Sequence, residues 1–562
     1  MMTFSNDPLR AEREMHAIIF YLTTFGYIDG DFDAAERSFV KQYIEKLITH
    51  RAHSSMSDAD PAMRADVIAK YTKHFLEVFE GMDQRVKDLF TESVSDDEDP
   101  TAFVHAKLKV RCFEIFQQFD RAGQEQLMNT IDELLLADGV AHPAETAFRA
   151  ELAALLESDD DILVDVEEGE ASTVHVGAVK RMARSHANHP FFEPTEHHFS
   201  RDPAKIQAQV AADAELIERA IALFETQRQK GAGVLAGKKS VEELDGIAPC
   251  LDGHVYVHMP DPKQTYELIV LGDLHGCYSV LKATLMQSRF FEKVDAYRRA
   301  PGSIPMPILV LLGDYIDRGL FSLNGVLRTV LQLFVTAPDH VYVLRGNHEY
   351  YIEFKGNMYG GVKPAEAINS LKPHLSIDVF RRYRTLFEAM PNVLLFDRMF
   401  FVHGGIPRDR LFKEKSRDLT ALNDPDIRFQ MMWSDPSSAD VIPADLQDKS
   451  ARFAFGRMQF RAFMQQIGCH TLVRGHEKVA EGFQRTYDGE HDKLITLFSA
   501  GGAKNGDLPV DSSYREVTPM ALTIVHSATS TEITPWAPDY ETYNDPERNG
   551  FFKVKPEIEH RA

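Results

Sequence analysis

The sequence predicts a multidomain chain, in which an all-helical N-terminal domain is followed by an α/β domain. Two observations support this division. In the first part, apolar residues recur at helical spacing, as at Ile18 and Leu22 or at Tyr43 and Leu47. After about residue 246, short apolar runs alternate with helical patterns, and this alternation is typical of an α/β sheet.

Composition narrows the class of protein. The chain has 562 residues and a formal net charge of −23, which argues against nucleic acid or an anionic membrane as partner, because both demand a basic surface. The four cysteines lack CxxC spacing, so we expect neither a disulfide framework nor a structural zinc site. The N-terminus lacks the features of a signal peptide, and no stretch is apolar enough for a membrane span. We therefore expect a cytoplasmic protein.

An internal repeat organises the helical part. Residues 11–50 predict a helix pair, with a break at Asp29-Gly30 and an acid at Glu36. The same pattern returns at Asp138-Gly139 and Glu145, and in both copies the Glu follows the Asp by seven positions. The pattern resembles the TerB-like helical domains associated with tellurite resistance. Two interpretations stay open, namely acids that stabilise helix N-termini beside glycine turns, or acids that bind a divalent cation.

The stretch between the two domains is polar. Residues 157–170 carry eight acids and no base, and they begin a predicted linker over about 157–200. Helical periodicity returns over residues 203–230 and ends in a glycine-rich stretch, which predicts a hinge. We therefore assign residues 1–245 to the helical domain with its linker, 246–536 to the α/β domain, and 537–562 to a loosely ordered tail.

Five blocks in the α/β domain repeat one design, in which an apolar run precedes side chains of metal-ligand type. The first is the run Glu267–Leu271, followed by Asp273 and His275. Because ligands gather at the carboxyl ends of strands in such sheets, we expect the polar residues after all five runs to meet in one crevice. Their mixture of Asp, His and Asn suits first-row divalent metals. These residues are Asp273, His275, Asp314, Asn347, His403 and His476.

Three of the blocks resemble a known family. Residues 272–276 have the form Gly-Asp-x-His-Gly, residues 313–319 the form Gly-Asp-x-x-Asp-Arg-Gly, and residues 346–349 the form Gly-Asn-His-Glu. Together they resemble the PPP family of metallophosphoesterases, which comprises the serine/threonine protein phosphatases and their bacterial relatives. The resemblance covers residues 256–525 and implies a calcineurin-like sandwich with αββα layers.

The resemblance also implies a site with two divalent metal ions. Manganese is the preferred metal, and iron and zinc are the alternatives. The implied reaction is direct attack on phosphorus by a hydroxide that the two ions share. In the implied ligand set, Asp273 and His275 hold one ion, Asn347, His403 and His476 hold the other, and Asp314 bridges the two. Asn347 would contact the phosphate as well.

The resemblance assigns further roles beside the ligands. His348 would protonate the leaving group, while the carboxylate of Asp317 would orient its ring. Arg318 would bind phosphate through its planar fork of donors. For a second phosphate ligand, Arg452 is preferred over Lys449 because a guanidinium matches phosphate better.

Two more arginines, Arg345 and Arg474, stand beside predicted ligands and would either brace the sheet or touch substrate. After Ala500 the eukaryotic enzymes of the family continue with Pro-Asn-Tyr, whereas this chain has Gly501-Gly502-Ala503, so the tyrosine that overhangs their metal site is missing. A glycine-containing segment, residues 350–375, resembles an added cap beside the site.

These features predict a metal-dependent phosphomonoester hydrolase. Its expected substrates are phosphoproteins or phosphopeptides at serine or threonine, with phosphotyrosine included because the floor of the site is remodelled. Two alternatives stay open, a symmetrical dinucleoside polyphosphate hydrolase and an interaction scaffold whose helical domain recruits a protein partner. Neither nucleic acid nor membrane is an expected partner.

Overall fold

The structure is a computed structural model, and it describes residues 7–28, 32–56, 60–90, 92, 94–95, 98–134, 143–157, 174–489, 492–558 and 560. Contacts divide the chain into two compact units. The first comprises Met1–Leu163 and Ser437–Ala454, and the second comprises Val164–Pro436 and Phe455–Ala562. Among the described helices, none combines the length and the apolar character that a membrane crossing needs.

The first unit is mostly helical, as predicted. Apolar side chains from its successive helices form one buried core. The helices are α1 (Pro8–Phe25), α2 (Ala34–Ser55), α3 (Pro61–Leu89), α4 (Pro100–Phe116), α5 (Arg121–Leu134) and α6 (Pro143–Glu157), with a short helix at Ala444–Gln447 and a two-residue strand at Val94–Ser95.

The start of α2 bears on the two interpretations of the acidic repeat. The Asp33 carboxylate accepts the backbone N–H of Glu36 at 2.8 Å, and the Glu36 carboxylate accepts the backbone N–H of Asp33 at 2.9 Å. This reciprocal capping box satisfies backbone donors at the helix start, and it gives both acids the structural role of the first interpretation. Residues 29–31, the second loop at 135–142 and the acidic stretch at 158–173 lie outside the described residues.

The second unit combines strands and helices. Its strands of three or more residues are β1 (Val174–Val176), β2 (Cys250–Asp252), β3 (Val255–His258), β4 (Tyr266–Leu271), β5 (Met306–Leu311), β6 (Val341–Val343), β7 (Tyr351–Phe354), β8 (Asn357–Gly360), β9 (Val393–Phe396), β10 (Met399–Val402), β11 (Thr471–Arg474), β12 (Phe483–Asp488), β13 (Lys493–Leu497), β14 (Ala521–Ser527) and β15 (Ser530–Trp536). Its α-helices are α7 (Pro203–Gly231), α8 (Tyr278–Gln287), α9 (Phe290–Arg299), α10 (Arg328–Thr336), α11 (Glu366–Leu371), α12 (Ile377–Ala389), α13 (Asp409–Lys415), α14 (Pro425–Trp433) and α15 (Arg457–Ile467).

Most of these strands form two mixed sheets. One sheet has the order β1-β15-β14-β4-β5-β6, and the other has the order β12-β13-β11-β10-β9-β3-β2. Strands β4, β5 and β6 run parallel in the first sheet, and β10, β11 and β13 run parallel in the second. Parallel neighbours end at the same edge of a sheet, so their carboxyl ends lie side by side.

Alternation along β9 shows how the layers pack. Leu394 and Phe396 belong to the core that contains Val270 of β4, whereas Val393 and Leu395 belong to a second core with residues of α13, α14 and α15. Successive side chains of a strand point to opposite faces, so the second sheet has the first sheet on one face and helices on the other. The predicted αββα layering is confirmed.

The division of the chain differs from the predicted boundary at residue 245. Strand β1 pairs with β15, and α7 buries Ile217 and Phe224 in the main core of the second unit. Residues 174–245 therefore fold with the strands. The segment Ser437–Ala454, predicted as part of the α/β domain, belongs to the first unit, because Ile442 and Leu446 pack against apolar residues of α4.

The predicted loose tail is also packed along most of its length. Tyr543 and Phe551 are buried in the main core of the second unit. The carbonyl oxygen of Tyr543 accepts a hydrogen bond from the Asn549 amide at 3.0 Å. A few aromatic anchors therefore order a segment whose polar composition predicts disorder.

Candidate metal centre

Each predicted metal ligand follows closely on a strand. The strands belong to both sheets, so the crevice is shared by two sheets instead of one. Asp273 and His275 follow β4, Asp314 follows β5, Asn347 follows β6, His403 follows β10, and His476 follows β11.

The turns that carry these side chains have an uncommon backbone conformation. Within these turns, five residues other than glycine have φ angles between 41° and 70°, a region that L-residues rarely adopt. Such conformations persist where the surrounding structure enforces them, and they concentrate at functional sites. The five residues are His275, Asp314, Asp317, Arg318 and His476.

Asp314 lies at the centre of the cluster. Its Oδ2 atom is 3.4 Å from His275 Nε2, and its Oδ1 atom is 3.4 Å from His403 Nε2. The cluster contains two groups whose potential ligand atoms lie within 4.8 Å of one another, His275 with Asp314 and His348, and Asp314 with His403 and His476. Asp314 is the member common to both groups, which is the geometry that a bridging carboxylate requires.

Backbone carbonyl groups fix the three predicted histidine ligands. A ring nitrogen that donates to a carbonyl carries the proton, so the other nitrogen directs its lone pair into the cluster. The donating atoms are His275 Nδ1 to Ile316 at 2.9 Å, His403 Nδ1 to Leu312 at 3.0 Å, and His476 Nε2 to Trp433 at 3.2 Å.

Two oxygen atoms of the cluster fit a cation. Asp273 Oδ1 accepts the backbone N–H of His476 at 2.7 Å, while the buried Oδ2 has no hydrogen-bond partner among the described residues. Asn347 Oδ1 faces His403 Nε2 at 2.8 Å and His476 Nδ1 at 3.1 Å, which are lone-pair atoms in the tautomers given above. A cation could be bound by all of these atoms. With the Asn347 amide in the opposite orientation, its NH₂ group would instead donate hydrogen bonds to His403 Nε2 and His476 Nδ1.

Burial makes charge costly throughout the cluster. Burial, with the nearby charge of Asp314, raises the pKa of Asp273 to about 7 and that of Glu349 to about 8. Burial also lowers the pKa of His275 and His403. Acids and imidazoles are thus driven towards their neutral forms, and bound cations would supply the positive charge that stabilises ionised carboxylates here.

A histidine–carboxylate pair lies beside the cluster. His348 Nδ1 is 2.7 Å from Asp317 Oδ2, and Asp317 Oδ1 accepts the backbone N–H of Ala367 at 2.8 Å. Burial raises the pKa of Asp317 to about 6. His348 Nε2 then points towards Asp314 Oδ2, at 3.9 Å. The structure therefore forms the pair that the sequence predicts, and the catalytic role of the pair stays a prediction.

Comparison with known proteins now identifies part of the chain. Residues 266–480 match the model of the calcineurin-like phosphoesterase family, and they contain all six predicted ligands. The chain carries a calcineurin-like phosphoesterase domain. A probable serine/threonine-protein phosphatase from Encephalitozoon cuniculi is 26% identical over 259 residues, which are 45% of this chain and 51% of the relative. The chain thus spans about half the length of that curated relative.

Solved structures with lower similarity include two phosphatases. A protein serine/threonine phosphatase from Saccharomyces cerevisiae is 20% identical, with a TM-score of 0.38, over 58% of this chain and 90% of that one. A cold-active protein-tyrosine phosphatase from a Shewanella species is 15% identical, with a TM-score of 0.30, over 50% of this chain and 82% of that one.

Arginines near the phosphoesterase site differ in what they contact. Arg474 is fully buried, and it donates to Asp435 Oδ1 at 2.6 Å and to the carbonyl oxygen of Gly404. Arg345 donates to the backbone carbonyl of Glu349 at 2.9 Å. These contacts favour the bracing role for both residues.

The two predicted phosphate arginines lie in different units. Arg318 forms a buried ion pair with Glu366 at 2.8 Å, next to Asp317 in the phosphoesterase domain. Arg452 belongs to the helical unit, where its guanidinium is 3.3 Å from Glu92, and Lys449 is exposed in the same segment. The phosphate contact of Arg452 stays a prediction.

Sequence reasoning gave no role to the acid that ends the Gly-Asn-His-Glu block. The carboxylate of Glu349 accepts the backbone N–H groups of Asp314 and Tyr315, both at 2.8 Å, and of Gly346 at 3.0 Å. It thereby ties two ligand-bearing loops together. The position of Glu349 directly after His348 is a signal that could have pointed to this role.

A tyrosine of the site was also missed. The ring of Tyr514 lies 5.4 Å from the ring of His275 and 5.4 Å from that of Phe498, between ring centroids. An aromatic ring therefore stands beside this ligand although the expected Pro-Asn-Tyr is absent. Tyr514 follows no predicted strand, so no pattern in the sequence indicates its place.

The segment predicted as an added cap does contact the site. It contains the hairpin of β7 and β8 and the helix α11. Glu366 on α11 pairs with Arg318, and Ala367 donates to Asp317. The segment thus holds two side chains of the site in place.

Proposed function

We propose that the chain is a metal-dependent phosphomonoester hydrolase that acts on phosphoserine or phosphothreonine in proteins or peptides. The observation that carries the proposal is the convergence of the six predicted ligands, in which five side chains gather around the carboxylate of the sixth, Asp314. The family match over residues 266–480 and the name of the curated relative support the same class of reaction.

The residues present fit a pair of divalent cations, with manganese as the first choice. Asp273 and His275 would hold one ion, and Asn347, His403 and His476 the other, with Asp314 between them. When bound, two such cations acidify a water molecule and polarise the oxygens of a phosphoryl group.

The protein's own groups would orient the substrate and move a proton. Because Asp317 holds His348 at Nδ1, the Nε2 atom is directed at the cluster, where it can protonate the leaving oxygen of the ester. The ion pair with Glu366 fixes the plane of the Arg318 guanidinium, so that it can bind a phosphoryl oxygen without prior ordering.

A substrate panel tests the proposal. The purified full chain, supplied with Mn²⁺, Fe²⁺ or Zn²⁺ in turn, would be assayed on p-nitrophenyl phosphate, on peptides with phosphoserine, phosphothreonine or phosphotyrosine, and on diadenosine tetraphosphate. We expect fastest turnover of the phosphoserine or phosphothreonine peptides. Preferred cleavage of diadenosine tetraphosphate would replace the proposal with the dinucleotide hydrolase alternative.

Variants separate catalysis from a scaffold role. Asp273→Asn should abolish turnover, and His348→Ala should lower it by about 10²–10⁴-fold, the usual contribution of a general acid. The exposed residues Asp295 and His186 provide matched controls, as Asp295→Asn and His186→Ala. Absence of turnover with every metal would overturn the proposal and leave the scaffold alternative. Turnover that survives Asp273→Asn would also overturn it, because the activity would then not depend on the proposed ligand cluster.

A further inference from the structure

The helical unit contains a cluster of side chains that the proposed function does not use. Glu12 and His16 lie on α1, and His74 lies on α3. One potential ligand atom from each residue lies within 4.8 Å of the other two. We propose that these three residues bind a Zn²⁺ ion, or another first-row divalent cation, that connects α1 to α3.

The spacing of the three residues suits one ion. Glu12 and His16 are four positions apart on a helix, which places them on the same face one turn from each other. His74 Nε2 lies 3.7 Å from Glu12 Oε1. In a tetrahedral zinc site with bonds of about 2.0–2.1 Å, neighbouring ligand atoms are about 3.4 Å apart, so a small movement of these side chains would suffice.

The chemistry of His16 points to a missing partner. Its Nε2 atom is buried, and it neither accepts nor donates a hydrogen bond within the part of the chain that the structure describes. A buried polar atom left in this state destabilises the fold, and coordination to a cation would remove that cost. Burial, opposed by Glu12 and assisted by His74 and Arg85, lowers the pKa of His16, and the neutral imidazole is the form that binds metal.

The remaining coordination position would face solvent. The side chains of Glu12 and His74 are 49% and 47% exposed, so an ion can reach the site and keep a water molecule as its fourth ligand. Two histidines and one carboxylate form a ligand set that zinc accepts. This ligand set differs from the one proposed for the cluster around Asp314, which has two carboxylates, one amide and three histidines.

Metal counting on the full chain tests the inference. The protein, freed of metal by dialysis against a chelator, would be titrated with Zn²⁺, and bound zinc per chain would be measured by elemental analysis. We expect His16→Ala and His74→Ala each to lose one zinc equivalent relative to the wild type. His50→Ala, which changes an exposed histidine on α2, should lose none.

The Glu12→Gln variant and a measurement of the unfolding temperature distinguish loss of zinc binding from loss of folding. Glu12→Gln changes an exposed side chain with little effect on packing, and it should weaken zinc binding at this site. In the wild type, Zn²⁺ should raise the unfolding temperature of the helical unit, and this shift should be reduced in all three ligand variants. Hydrolysis of p-nitrophenyl phosphate should stay unchanged in them. Equal zinc content in the wild type, Glu12→Gln and His74→Ala would overturn the inference.

Discussion

Replacing Arg474 by methionine should destabilise the phosphoesterase domain instead of weakening substrate binding. The guanidinium is 0% exposed and forms an ion pair with the Asp435 carboxylate at 2.6 Å. Removing one partner of such a buried pair costs about 3–5 kcal/mol, because the remaining charge stays buried without an opposite charge beside it. We therefore expect the free energy of unfolding to fall by about 3–5 kcal/mol.

Tryptophan fluorescence during denaturant unfolding provides the assay. The chain has two tryptophans, Trp433 and Trp536, and both lie in the second unit, so the signal follows the phosphoesterase domain. Adding Asp435→Asn to Arg474→Met should recover part of the lost stability, because it removes the buried charge. The exposed Arg417 supplies the matched control, Arg417→Met, which should leave the unfolding midpoint unchanged.

The competing role of Arg474 gives a different result. A residue that touches substrate would raise KM for phosphopeptides when replaced, with little change in the unfolding midpoint. An Arg474→Met variant with wild-type stability and a raised KM would therefore refute the bracing role.

Three further substitutions test individual contacts. Asp317→Asn should lower kcat by about 10–100-fold and change KM less, because the ring of His348 loses its anchoring carboxylate; an unchanged kcat would contradict this. Glu349→Gln should weaken Mn²⁺ affinity by about 10–100-fold, measured by calorimetry, because an amide cannot accept all three backbone N–H groups; wild-type affinity would argue against that role. Tyr514→Ala should lower activity more than Tyr514→Phe if the ring supports His275 by packing, and equal losses would instead assign the effect to the hydroxyl group.

The place of each candidate ligand could be predicted because each of these residues follows an apolar run. Parallel strands end at the same edge of their sheet, so the residues that follow β4, β5 and β6 lie together at that edge. The sequence does not show that β10 and β11 belong to a second sheet, because strand pairing depends on distant contacts. The convergence was therefore predicted, and its distribution over two sheets was not.

Other features depend on contacts between residues far apart in the chain. The boundary was misplaced because α7 has the same helical periodicity as the N-terminal helices, and only packing shows that Phe224 joins the strand core. Arg452 was chosen by the type of its side chain, whereas its segment joins the helical unit through Ile442 and Leu446. Tyr514 reaches His275 from a loop, and loops carry no periodic signal.

The central claim is that six side chains hold two cations with Asp314 common to both. Crystals grown with Mn²⁺, with diffraction data collected at the manganese absorption edge, test this claim most directly. We predict two anomalous peaks in the phosphoesterase domain, with an oxygen of Asp314 in contact with each. A single peak, or a second peak that Asp314 does not contact, would contradict the claim.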